Sequence, residues 1–284
     1  MNIPIVDMHV HIQPWDMLKP EARAVMTAHR RPEELALLQD FLRNPQALLR
    51  WMDAQGIQAM ALINYSSPDV MGFTDDVNDF VTKFCAVAPD RLIAVGSLHP
   101  RLTPNPADFI RTWIDRGLRA FKLHPPHQLV YPNDYLHGNR HLEALYAICQ
   151  EAGVPVIVHT GTSIFPGARN RFGDPIHLDD VAVDFPNLRI VMAHGGRPLW
   201  MNTAFFLLRR HPNMFLDIAG IPPRSLLEYF PRLAEVADRV VFGSDWPGPG
   251  VPGIRANADT FWALPLPESV RRQVLYENYR RLWP

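Results

Sequence analysis

The sequence of this chain predicts an α/β fold, a single (β/α)8 or TIM barrel. Three observations support it: short runs rich in Val, Ile, Leu and Phe recur, a longer segment with helical spacing follows each run, and the pairing occurs eight times. With 284 residues, 47% of them hydrophobic, the chain can form one large core over residues 1–284. Two smaller domains fit the same length. An open doubly wound sheet is the alternative fold, but the sequence lacks its glycine-rich phosphate loop.

The predicted strands are short apolar runs bounded by turn-forming residues. In order they read IPIVDMHV (3–10), IQAMALIN (57–64), LIAVGSL (92–98), LRAFKL (118–123), VPVIVH (154–159), LRIVMA (188–193), MFLDI (214–218) and VVFGS (240–244). Helices are expected at 33–55, 75–88, 106–116, 139–152, 178–185, 201–210, 226–236 and 269–281. Before the fifth strand, Gly153 can end a helix and Pro155 cannot lie inside one.

The connection after the first strand is longer than an ordinary βα loop, because it runs from residue 13 to about residue 55. Part of this insertion is expected to cover the mouth of the barrel as a lid. The sequence contains no solenoid-type repeat, low-complexity segment or clear interdomain linker.

Chemically capable side chains fall at the carboxyl ends of six predicted strands. They are Asp7, His9 and His11 at strand 1, Lys122 and His124 at strand 4, His159 at strand 5, His194 at strand 6, Asp217 at strand 7 and Asp245 at strand 8. In a (β/α)8 barrel these ends meet on the face where active sites are built. Residues far apart in the sequence are therefore expected to lie in one site at this face.

Four of these residues are candidate metal ligands. His9 and His11 are two positions apart in a strand, so both can point into the barrel, although alone they would more simply be hydrogen-bonded core histidines. His159 and Asp245 supply a further nitrogen and an oxygen. Neutral imidazole and carboxylate suit zinc and related divalent ions. One divalent ion is expected, with zinc preferred and manganese as the alternative.

The motifs DMHVHI, VIVHTG, IVMAHGG and VVFGSDWP occur in this order, and DPIHLDDVAVDFPNLRIVMAHGG and ENYRRLW accompany them. Together they resemble the amidohydrolase-2 branch of the amidohydrolase superfamily over almost the whole chain. Members of that branch are metal-dependent hydrolases, lactonases and nonoxidative decarboxylases related to aminocarboxymuconate-semialdehyde decarboxylase. The resemblance implies His9, His11, His159 and Asp245 as ligands, with His194 as a proton shuttle or additional ligand. Binuclear relatives use a carboxylated lysine at the position of Lys122, but a single ion is preferred here.

Asp245 and His194 are the predicted catalytic residues. Asp245 can also remove a proton from water as a general base, although a salt-bridged barrel carboxylate is the simpler interpretation. The predicted substrate-binding residues are Lys122, Arg169, Arg171, Arg197 and Trp246. Guanidinium groups on loops can hold a carboxylate bidentately, although solvated loop arginines would look the same in sequence. Asp217 is expected either to orient a ligand histidine or to form an ion pair inside the barrel.

The leading functional hypothesis is hydrolysis of a small carboxylated or cyclic ester, lactone or amide by a water that the ion activates. The alternative is metal-dependent nonoxidative decarboxylation of an aromatic or muconate-type acid. A catalytically silent barrel that binds a ligand is a third hypothesis.

Composition excludes several other classes of function. The net charge of −1 and the pI of about 6.9 give no broad field for nucleic acid or anionic membranes, so a small-molecule substrate is the expected partner. Without a secretory signal or apolar span, the expected location is cytoplasmic. Two cysteines are too few for a disulfide framework. A homo-oligomer is compatible with the family.

Overall fold

The computed structural model describes residues 3–28 and 30–283. In this part of the chain, eight parallel strands form one sheet in sequence order. They are β1 (Ile5–Val10), β2 (Ile57–Ile63), β3 (Leu92–Gly96), β4 (Ala120–Leu123), β5 (Val156–His159), β6 (Ile190–Ala193), β7 (Met214–Asp217) and β8 (Val240–Val241). The chain after β8 returns to β1, since Asp245 N donates to His9 O over 2.9 Å and Val10 bridges to Trp246. The predicted barrel is therefore confirmed.

Helices occupy the outside and the ends of the barrel. They are α1 (Pro20–Thr27), α2 (Pro32–Arg43), α3 (Pro45–Gln55), α4 (Val77–Cys85), α5 (Pro106–Asp115), α6 (Pro125–Gln128), α7 (Arg140–Ala152), α8 (Leu178–Asp184), α9 (Met201–Arg210), α10 (Leu226–Tyr229), α11 (Ile254–Trp262) and α12 (Glu268–Arg272). A π-helix (Gln273–Glu277) and several short 3-10 turns complete the elements. Among the described residues, no helix combines the length and apolar character that crossing a bilayer requires.

The predicted helices differ from the observed ones where proline interrupts them. The segment 33–55 forms two helices, because Pro45 begins α3 and the side chain of Asn44 accepts from Ala47 N at 3.1 Å as a cap. The segment 226–236 breaks at Pro231, leaving α10 and a 3-10 turn (Leu233–Arg239). Helices α1, α6 and α11 were not predicted.

The strands are buried on both faces, as their continuous apolar runs require. One buried carboxylate helps to close the ring: Asp7 Oδ1 accepts from His9 N and from Ser244 N, both at 3.0 Å. It thereby joins β1 to the chain after β8. Burial raises the pKa of Asp7 to about 7, although these hydrogen bonds favour its charged form.

The insertion after β1 reaches the barrel mouth only with its first part. Gln13 and Met26, the latter on α1, line the cavity at the carboxyl ends of the strands. Backbone contacts hold this part in place, including Lys19 N donating to Met71 O at 2.9 Å. Helix α3 instead packs against β2 on the barrel wall. The part of the insertion that covers this cavity therefore includes Gln13 and α1; His29 lies outside the described residues.

Candidate metal centre

The carboxyl ends of the strands surround a cavity of about 250 Å³. Its lining includes most of the residues predicted at the strand ends, His9, His11, Lys122, His124, His159, His194 and Asp245, together with the loop residue Arg197. Their positions at the ends of parallel strands predicted that these side chains lie on one face. The structure brings them together there.

Three imidazoles at this site are held in the same way. His9 donates from Nδ1 to Asp217 Oδ2 at 2.5 Å, His11 from Nδ1 to Ile63 O at 3.2 Å, and His194 from Nδ1 to Ala219 O at 2.7 Å. Each acceptor is an oxygen, so the ring proton resides on Nδ1. Burial keeps the pKa of His9 and of His194 well below the usual value, which leaves both rings neutral. Their Nε2 atoms consequently carry free lone pairs.

Those lone pairs face the carboxylate of Asp245. Asp245 Oδ1 lies 3.1 Å from His11 Nε2 and 3.5 Å from His9 Nε2. An ionised carboxylate and neutral Nε2 atoms are all acceptors, so a cation between them relieves their repulsion.

Backbone strain marks the same two residues that were predicted to be catalytic. His194 and Asp245 adopt φ of 70° and 69°, in the left-handed region that residues other than glycine seldom occupy. Such conformations persist where the surrounding structure enforces them, commonly at functional sites. His194 directly follows β6, and Asp245 lies four residues after the end of β8.

The predicted ligands differ in how closely they approach one another. Ligand atoms of His9, His194 and Asp245 lie within 4.8 Å of one another, and His11 Nε2 contacts Asp245 as described above. His159 is held against the same group by its ring, whose centroid lies 4.6 Å from that of His194. On its other side it stacks on His124 at 3.9 Å.

The residues present fit a divalent ion. Among the described residues, Nε2 of His9 and Nε2 of His159 are buried without a hydrogen-bond partner. A buried polar atom without a partner is costly unless something else satisfies it. Several imidazole nitrogens and one carboxylate are a donor set that zinc and manganese accept.

Two cations face the same cavity. Lys122 is 1% exposed and its Nζ has no hydrogen-bond partner in the described ranges. Burial lowers the pKa of Lys122 to about 8. Arg197 Nη2 lies 3.9 Å from Asp245 Oδ2, and the loop that carries Arg197 is fixed by Thr162 N donating to its carbonyl at 2.9 Å. Both side chains line the cavity.

The other predicted substrate-binding residues do not line this cavity. Arg169 and Arg171 are exposed on and beside a 3-10 turn (Asn170–Gly173), and the Arg171 guanidinium lies over the ring of Phe172. Trp246 is 9% exposed and stacks on Trp51, with ring centroids 5.0 Å apart. It borders a neighbouring cavity instead.

Sequence reasoning missed part of the cavity wall. Tyr65 and Ser163 line the cavity, and both are bound to the buried His127: Tyr65 Oη lies 3.2 Å from its Nδ1 and Ser163 Oγ 2.7 Å from its Nε2. His127 stacks on His124 at 3.5 Å. Tyr65 follows strand β2, so the strand-end rule could have identified it. His127, on the short helix α6, and the loop residue Ser163 have no such signal.

Solved structures share this architecture at low sequence identity. An uncharacterised TIM-barrel protein of Bordetella bronchiseptica matches with a TM-score of 0.76 at 23% identity, over 99% of this chain and 98% of that one. A probable 2-pyrone-4,6-dicarboxylic acid hydrolase of Acinetobacter baumannii, with citric acid bound, matches at 0.66 and 14%, over 99% of each chain. A 5-carboxyvanillate decarboxylase of Novosphingobium aromaticivorans, complexed with manganese, matches at 0.65 and 14%, over 99% and 96%.

These likenesses show a common fold. No curated protein matches the chain in sequence. The family model for amidohydrolases, in contrast, matches residues 6–284 and so includes every strand end described above. The chain therefore belongs to the amidohydrolase-2 family.

Proposed function

We propose that the protein is a metal-dependent hydrolase of a small carboxylated or cyclic substrate, an ester, lactone or amide. One observation carries the proposal: three imidazoles hold their protons on Nδ1 and turn toward the Asp245 carboxylate, an arrangement of acceptors that needs a cation. The hydrolase of this fold from Acinetobacter baumannii supports the reaction class.

His9, His11, His159 and Asp245 would hold one divalent ion, with zinc preferred over manganese. When bound, such an ion polarises a reacting carbonyl and lowers the pKa of a coordinated water toward about 7. In this assignment His194 is not a ligand, so it is left to move protons. Its ring contacts those of His9 and His159, with centroids 4.9 and 4.6 Å apart.

The two oxygens of Asp245 have different tasks in this proposal. Oδ1 faces the Nε2 atoms of His9 and His11, whereas Oδ2 lies toward Arg197. Oδ2 is therefore the oxygen that accepts the proton of the attacking water. Lys122 and Arg197 bind the carboxylate of the substrate and orient it, because both cations line the cavity.

Nonoxidative decarboxylation of an aromatic acid is the second candidate. It is favoured by the manganese-containing decarboxylase of the same fold and by the two cations that would receive a carboxylate. In that reaction His194 or Asp245 would supply the proton to the carbon that loses carbon dioxide.

Product analysis distinguishes the two reactions. The metal-loaded protein is incubated with a panel of lactones, esters and aromatic acids, with the Asp245→Asn variant as the inactive control. Hydrolysis predicts acid formation and incorporation of solvent ¹⁸O into the product. Release of carbon dioxide without addition of water would overturn the hydrolase proposal in favour of the decarboxylase.

A further inference from the structure

A second and larger cavity adjoins the candidate metal centre. Its volume is about 760 Å³, within the usual range of roughly 300–1,000 Å³ for small-molecule sites, whereas the cavity at the metal centre has about 250 Å³. It lies between α1 and α2 on one side and the segment 246–256 on the other. Most of the space available to a ligand therefore lies beside the metal centre.

Apolar side chains form much of the wall of this second cavity. They include Val25, Leu37, Trp51, Trp246, Val251 and Ile254. The stacked rings of Trp51 and Trp246, inclined by 22°, give the wall a flat aromatic section. Leu37 is 45% exposed, so part of its surface is available to cover an apolar ligand.

The charged groups around the second cavity are already engaged with the protein. Arg30 donates from Nε to Met26 O at 2.8 Å and from Nη2 to the carbonyl of Pro247. Glu34 pairs with Arg31 at 2.7 Å, and Arg255 pairs with Asp259 at 2.9 Å. These charges therefore have partners, and the free part of the lining favours an uncharged apolar group.

The two cavities share Ile164, Gly248 and Pro249 in their walls. Ile164 is 71% exposed, so little protein packs on this shared wall. A molecule that crosses it would have one end at the imidazoles and the other against the tryptophans.

We propose that the second cavity binds an apolar arm of the substrate, aromatic or alkyl, while the polar reacting head lies at the metal centre. The assignment rests on the proposed function for the head and names the substrate class: a bipartite molecule with a carboxylated or cyclic head and an uncharged apolar arm. The flat tryptophan wall and the available face of Leu37 are the specificity-determining surfaces.

A binding assay tests the apolar site without turnover. The neutral fluorophore N-phenyl-1-naphthylamine is titrated into the metal-loaded protein, into Leu37→Glu, and into the control Val183→Glu. Val183 is 54% exposed on α8, outside the cavity, and so matches Leu37 as an exposed helical residue. We expect saturable binding in wild type and in the control, and affinity about tenfold or more lower in Leu37→Glu, because a carboxylate beside an apolar ligand is poorly solvated.

The link between the two cavities is tested with two ligands that share a metal-binding hydroxamate head and differ only in the length of their alkyl arm. Octanohydroxamate should bind the metal-loaded protein more tightly than acetohydroxamate and displace the fluorophore, and Leu37→Glu should abolish this difference. His9→Ala should keep fluorophore binding, because it removes only the head site. The His9→Ala measurement therefore distinguishes an error in the proposed metal centre from an error in the proposed apolar site.

Four results would overturn the proposal. One is the absence of saturable fluorophore binding, and another is equal binding by Leu37→Glu and wild type. The third is equal affinity of the two hydroxamates, which would show that one ligand does not occupy both cavities. A dimer in sedimentation that Leu37→Glu dissociates would assign the surface to a second copy of the chain and would also contradict the assignment.

Discussion

His9 Nδ1 and Asp217 Oδ2 lie 2.5 Å apart, and neither side chain is more than 1% exposed. The other oxygen of Asp217 accepts from Ala219 N at 2.9 Å, which fixes the carboxylate. Gly243 makes room for it, since a Cβ at that position would lie 2.2 Å from Asp217 Oδ1. Asp217 thus decides which nitrogen of His9 carries the proton and turns Nε2 toward the metal centre.

Asp217→Asn tests this role. The Asn oxygen can accept from Ala219 N, which leaves the amide NH2 facing His9 Nδ1 and favours the tautomer with the proton on Nε2. We expect metal affinity to fall about 10- to 100-fold, as for other residues that orient ligands. Metal titration with a fluorescent indicator measures it, and circular dichroism checks the fold. Asp238→Asn, at an exposed surface pair, is the control; equal affinities in the two variants would contradict the role of Asp217.

His194→Ala should slow turnover by about 10²- to 10⁴-fold while most of the metal is retained, because His194 is assigned to proton movement. Steady-state kinetics and metal analysis on the same sample give the answer. His141→Ala is the control, since His141 lies outside the cavity and bonds to Thr103 O. Loss of the metal in His194→Ala would make this residue a ligand, in keeping with its position within 4.8 Å of His9 and Asp245.

Arg197→Met should raise KM for a carboxylated substrate by about 10-fold or more, because a charged hydrogen bond to the substrate is lost. Arg209→Met, on the exposed surface of α9, should leave KM unchanged. The measurement compares each variant on a carboxylated substrate and on its methyl ester. If Arg197→Met affected both substrates equally, its role in binding the carboxylate would be wrong.

His99 gives a pH dependence of stability that is separate from the metal centre. Burial, followed by the charge of Arg101, lowers the pKa of His99 to about 4, whereas its usual value is 6.5. At pH values between 4 and 6.5, His99 is protonated in the unfolded chain but not in the folded chain. The contribution of His99 is therefore complete above pH 6.5 and is lost as the pH falls toward 4.

We expect wild type to lose about 1–2 kcal/mol more unfolding free energy than His99→Asn between pH 7.5 and 4.5, after allowance for screening. Asn can replace the ring nitrogen that accepts from Arg101 N at 3.3 Å. Urea unfolding at both pH values measures the difference. Identical pH dependence in the two proteins would contradict the assignment.

Much of the fold and part of the site could be predicted because, in a barrel, a residue at the carboxyl end of any strand lies on the same face. Asp217 and Asp245 are predictable since Asp217 ends β7 and Asp245 lies four residues after the end of β8, and parallel strand ends share one face. Loop residues carry no such information. Arg169 and Arg197 look alike in sequence, yet only Arg197 reaches the cavity, because hydrogen bonds to the loop after β5 hold it there.

Helix boundaries and loop contacts depended on local chemistry that apolar periodicity does not register. Pro45 and Pro231 interrupt otherwise periodic segments. The contact of Ser163 with His127 on α6 joins residues that are 36 positions apart, and no spacing rule relates them.

The central claim is that side chains from the ends of β1, β5 and β8 hold one divalent ion, and elemental analysis of purified protein tests it most directly. Wild type and His141→Ala, prepared in metal-replete medium, should each contain about one zinc or manganese ion per chain. His9→Ala and Asp245→Asn should contain far less and still unfold cooperatively. Full metal content in these two folded variants, or none in wild type, would contradict the account.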